Sequence, residues 1–156
     1  MKLAFTYDDH HNSGAVWGRR DLKEWLTGVF EAPAVHIEKN SRPTLRIREH
    51  VENEFINEGW AMNVRLDQDL MLTVFALKED LAFQLQTGNM SRAPYDLLKL
   101  QYLFQKGRIE AAAIALPSKD AAGVIGDNIA NAERVCRELK LFDRVITVPI
   151  LVVAFE

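Results

Sequence analysis

The hydrophobic pattern of this chain changes period near residue 60. Upstream, apolar residues recur at helical spacing. Leu22, Trp25, Leu26 and Val29 predict a helix that begins near Arg19 and ends before Pro33. Ile47, Val51 and Phe55, with either Glu54 or Glu58, predict a second helix over 45–58, which Gly59 stops. Short strands fit 2–7 and 34–37, and Asn40-Ser41-Arg42-Pro43 reads as a loop. Downstream of residue 60 the pattern becomes strand-like over 60–66, 70–77 and 81–86, with Lys78-Glu79-Asp80 as a tight turn between the last two, which makes an antiparallel hairpin. An amphipathic helix follows over 94–105, with proline in its first turn and Gly107 at its end. Residues 109–116 are almost wholly apolar, as a strand covered on both faces must be. A loop at 117–120, a helix over 128–139 with Ile129, Ala132, Val135, Cys136 and Leu139 inward, and a buried strand over 145–155 complete the pattern. These elements predict an α/β fold: a single domain over 1–156 with a central mixed sheet of about five strands and helices on both faces.

Composition narrows this picture little. The 156 residues are 48% hydrophobic and 26% charged, enough for one core and one domain. A net charge of -3 argues against a surface that is basic all over, because neutralising phosphates takes clustered Lys and Arg. A local basic face stays open. The lone Cys136 forms no internal disulfide, the first residues lack the pattern of a signal peptide, and no run of eighteen apolar residues occurs, so the expected location is cytoplasmic.

The chemistry concentrates between Leu81 and Leu100. Gln84 and Gln86, one residue apart on a strand, project from the same face. They read either as amides that satisfy neighbouring loops or as residual ligands that supply oxygen without charge. Asn89 and Arg92 follow in the turn, where the free N–H groups of a helix start favour an anion; a turn asparagine at positive φ and a solvated arginine is the other reading. Arg42, Arg46 and Arg48, with Lys39, form the densest basic cluster, which either tracks phosphates or forms a solvated face diluted by Glu38, Glu49 and Glu52. Asp8, Asp9, His10 and His11 have the residue types of a metal site without its spacing, and Trp17, Trp25 and Trp60 are apolar anchors.

The segments EDLAFQLQTGN, DLLKL, IEAAAIALP, AERVCREL and VPILVVAFE, in this order over about 45–156, resemble the BglII-like type II restriction endonucleases of the PD-(D/E)xK nuclease fold. In that family the first strand of the hairpin offers an aspartate, the second a glutamate followed after one residue by a glutamine, and the preceding helix a glutamate. The implied reaction is Mg²⁺-assisted hydrolysis of a DNA phosphodiester. By resemblance, Gln86 stands at the glutamine, Gln84 replaces the glutamate, Phe75 replaces the aspartate, and Glu54 stands at the helix glutamate. The expected site is therefore degenerate, with weak or lost Mg²⁺ binding. The expected partner is double-stranded DNA, read with low specificity because the sequence given ends with the final strand. The resemblance also implies a homodimer. A regulatory or protein-interaction module built on the nuclease fold is the competing expectation. Basic residues around Gln84 and Gln86 would favour nucleic acid, and an exposed apolar patch would favour a protein partner.

Overall fold

Alternation of side chains along the strands builds two separate cores, one on each face of a single sheet, in a computed structural model that describes residues 1–39 and 41–156. Asn40, in the loop expected before the second helix, lies outside the described residues. Among the described residues the strands are β1 (Leu3–Tyr7), β2 (Ala61–Asp67), β3 (Leu72–Lys78), β4 (Leu81–Leu85), β5 (Ala111–Pro117) and β6 (Ile150–Phe155), in the spatial order β1-β6-β5-β4-β3-β2. Neighbouring pairs β4–β5 and β5–β6 are parallel, and the other three are antiparallel. The helices are α1 (Ser13–Arg19), α2 (Lys23–Val29), α3 (Pro43–Asn57), α4 (Ala93–Gln105), α5 (Lys119–Ile125) and α6 (Ala132–Leu141).

One face is aromatic. Trp17, Phe30 and Phe55, from α1, the end of α2 and α3, pack there with Phe75, Phe83 and Phe155 of the sheet. The other face is aliphatic: Leu97, Leu100 and Leu103 of α4 and Val135 and Leu139 of α6 meet Ile114, Leu116, Ile150 and Val152. The central strand β5 is buried at every position and carries alanine at 111, 112, 113 and 115, which leaves room for bulky side chains on both faces at interior packing density.

Several expected elements are corrected. The expected mixed sheet of about five strands has six, with the expected strand at 2–7 at one edge, β1 pairing β6. No strand forms over 34–37. The amino terminus of Met1 donates to the carbonyls of Ala32 and Val35, and Val35 N–H donates to Ala32, which holds the segment in a turn. The first expected helix starts later, as α2 at Lys23, and α1 is an additional helix upstream of it; Asp21 at φ 54, a left-handed conformation, separates the two. Helix α5 occupies a stretch read as a loop at its start. Ser118 caps it by accepting from Ala121 N–H, a signal present in the sequence and missed. The last helix and strand start later than expected, at Ala132 and Ile150. The Thr147 and Val148 N–H groups donate to Gln101 Oε1, so a side chain of α4 serves them where a neighbouring strand was expected. No helix among the described residues is long and apolar enough to cross a membrane.

Candidate functional site

The β3–β4 ladder runs from Lys78↔Leu81 to Ala76↔Phe83 and goes no further, while β4 continues beside β5 as far as Leu85↔Ala115. Where the ladder stops, the β3 backbone is served by side chains. Phe75 N–H donates to Gln84 Oε1 at 3.1 Å, and the Thr73 carbonyl accepts from Lys99 Nζ at 3.0 Å. Between β3, β4 and the first turns of α4 lies a cavity of about 590 Å³, lined among others by Arg48, Asn63, Gln84, Gln86, Arg92 and Lys99.

Leu81 and Phe83 enter the aromatic core and Ala82 the aliphatic one, so the period of two sends Gln84 and Gln86 to the α4 side. There both meet Asp96. Gln84 Nε2 donates to Asp96 Oδ1 at 3.0 Å, and Gln86 Nε2 donates to Asp96 Oδ2. Lys99 Nζ lies 2.7 Å from Asp96 Oδ1, one helical turn away on α4. The fourth side is a glycine turn, where Gly88 N–H donates to Gln86 Oε1 at 2.7 Å. A Cβ at Gly88 would stand 3.1 Å from that oxygen, so the close approach suits glycine. Backbone donors thus fix both amides with carbonyl oxygen away from Asp96 and NH₂ toward it, and every polar side-chain atom of this buried network has a partner.

The Mg²⁺ that the resemblance implies needs hard oxygen donors, with carboxylates carrying the charge. The donors here do not fit. Both glutamine oxygens accept backbone N–H groups, and Asp96, the one carboxylate lining the cavity among the described residues, is engaged by Lys99, Gln84 and Gln86. Nor does any group of three or more His, Cys, Asp or Glu among the described residues have the placement of a metal site.

Of the residues singled out in the sequence, Gln84, Gln86, Arg92 and Arg48 all line the cavity, as does Phe75. Arg48 arrives from α3, lies over the Phe75 ring at 5.4 Å from its centroid, and pairs with Glu52 at 2.8 Å. Glu54, Arg42, Arg46 and Asn89 are not among the lining residues. Six positions separate Glu54 from Arg48, which puts them on different sides of one helix. Asn89 has φ -59, not the positive φ of the turn reading, and its Oδ1 caps a 3-10 turn by accepting from Ser91 N–H. Phe75 is 5% exposed and packs against Phe55 and Phe83.

Two residues at the centre, Asp96 and Lys99, escaped the sequence reading. Asp96 shares an inward stripe with Leu100 and Leu103 and is 4% exposed, so a charge at a core-facing helical position was the signal. Away from the cavity, His10 Nε2 donates to the Ile146 carbonyl and His11 Nε2 to that of Asp143, so both pin the loop before β6, and burial lowers the His10 pKa. Burial pushes the Cys136 thiol up to about 11, which leaves it protonated and inert at neutral pH.

The family model described as restriction endonuclease BglII/BglIII matches residues 5–155. A crystal structure of restriction endonuclease BglII complexed with a DNA 16-mer superposes with a TM-score of 0.75 at 16% identity, covering 100% of this chain and 78% of that one. For free BglII the TM-score is 0.69 at 18% identity, covering 100% and 80%. No curated protein matches the chain. Its six-stranded mixed sheet is thus that of the BglII fold, and the chain belongs to the BglII/BglIII restriction endonuclease family.

Proposed function

We propose that this protein is a catalytically impaired member of its family that binds double-stranded DNA through the cavity between β3, β4 and α4. The observation that carries the proposal is the state of Asp96: buried, and engaged by Lys99 and by the amides of Gln84 and Gln86. Metal-assisted hydrolysis needs carboxylate oxygens free to hold the ion. A carboxylate neutralised by a resident ammonium and by two amide donors is a poor ligand, and the positions that the family fills with acids hold Phe75 and Gln84. The positive side chains that gather there, Arg48, Arg92 and Lys99, suit a phosphate backbone. A nearby basic rim is the arrangement that favours nucleic acid over a protein partner, and the BglII structure solved with a DNA 16-mer is a precedent for the fold.

The direct test is fluorescence anisotropy of labelled duplex DNA titrated with the protein over a range of salt. Affinity should fall as salt rises, by about 0.9 decade per decade of salt for each phosphate neutralised, and Arg48→Ala or Arg92→Ala should each lower the slope by about one. Binding that ignores both substitutions would move the DNA surface elsewhere, and no binding at low salt would remove it.

A homodimer is part of the same proposal. Leu70, Leu98 and Tyr102 are exposed beside the cavity, and with Leu66, Leu72 and Tyr95 they bound an apolar groove of about 290 Å³. A second copy related by a two-fold axis would cover such a face. Sedimentation should then give twice the chain mass of 17.8 kDa, whereas a monomer would leave the patch to a different protein and favour the interaction-module reading.

A further inference from the structure

The cavity carries its own cation. Lys99 Nζ lies 2.7 Å from Asp96 Oδ1 and donates to the Thr73 carbonyl at 3.0 Å, and only 13% of the side chain is exposed. An ammonium has three donors, so one remains for a ligand. The α4 backbone tethers this cation one turn from Asp96, and an ion from solution must compete with a partner at high effective concentration. Mg²⁺ would also have to shed water, which it does reluctantly. The glutamines give it little help, because they carry no charge and their oxygens, each accepting a backbone N–H, face away from Asp96. Arg92 stands on the rim, exposed and without an ion pair among the described residues.

We infer that Lys99 is the resident cation of this cavity, occupying beside Asp96 the charge role a divalent metal would fill, and that with Arg92 it holds a DNA phosphate with no metal required. The inference rests on the DNA-binding proposal above and separates from it experimentally. Duplex DNA binding is measured in EDTA and in MgCl₂ at matched ionic strength. Affinities should agree within about twofold, Lys99→Met should weaken binding about tenfold in both buffers, and Arg92→Ala should weaken it several-fold with unchanged thermal unfolding. Binding that requires Mg²⁺ would overturn the resident cation and leave the DNA reading standing.

A second arm needs no DNA. Mn²⁺ binding, read from the electron paramagnetic resonance of the free ion, should be absent for the native chain and for Gln84→Glu up to about 1 mM, and should appear in the double variant Gln84→Glu with Lys99→Met, whose folding is checked by circular dichroism. Native binding of Mn²⁺ that disappears in Asp96→Asn would overturn the inference. If the native chain bound no DNA in either buffer, the DNA reading would fail and the Mn²⁺ arm would still decide whether Lys99 is the resident cation.

Discussion

The two ends of the β3–β4 hairpin carry similar charges and put them to different uses. At the turn, Arg20 pairs with Glu79 at 3.2 Å, Asp80 at 2.5 Å and Glu110 at 3.1 Å, in a cluster whose carboxylates are 41% exposed or more. At the open end, Asp96 and Lys99 form one pair, with side chains 6% and 13% exposed, supported by two amides. Exposed pairs contribute little, since water already solvates the ions. A buried pair, by contrast, cannot lose one partner without leaving a desolvated charge. Burial decides which end tolerates change. The open end also faces a cavity, which makes it the end with a candidate function.

The largest effects are expected at the open end. Asp96→Ala strands Lys99 and both glutamine amides and should cost about 3–5 kcal/mol in urea unfolding. Retention of native stability would mean that the network is solvated. Phe75→Asp should be comparably damaging, because it places a charge against Phe55 and Phe83 and opens the aromatic core. That result bears on restoring the acids that the resemblance implies at these positions: Phe75→Asp with Gln84→Glu should unfold the site before it builds a metal centre. Gln84→Ala comes next, leaving Phe75 N–H without its acceptor and Asp96 without a donor, for about 1–3 kcal/mol in the same assay. Arg20→Ala at the turn should cost about 1 kcal/mol or less, and 1 M NaCl should mask that difference while leaving the Asp96→Ala loss intact. A larger effect of Arg20→Ala, insensitive to salt, would break the comparison.

The strands were legible in the sequence where one period held over a whole segment. The antiparallel hairpin, the buried strand around Ala111–Pro117 and the helix around Ala93–Gln105 all stand close to their expected limits. Apart from the local Ser118 cap of α5, the missed features depend on contacts distant in sequence. The turn over 34–37 is held by the amino terminus, and the stretch before β6 by Gln101, neither of which periodicity can register. The site divides the same way. The shared face of Gln84 and Gln86 followed from strand alternation, but their partner did not, because Asp96 had been read simply as part of an amphipathic helix. The basic residues needed the tertiary fold, which selects Arg48 for the cavity lining and leaves Arg42 and Arg46 outside it.

If Asp96 is sequestered as proposed, the cavity binds DNA without cutting it. Incubation of supercoiled plasmid with the purified protein in Mg²⁺ and in Mn²⁺, beside Asp96→Asn and Gln86→Ala preparations made identically, tests it most directly. Intact supercoiled plasmid is expected for all three proteins at concentrations where the native chain is bound. Nicking or linearisation by the native protein that is lost in Asp96→Asn would show a working metal centre and contradict the proposal.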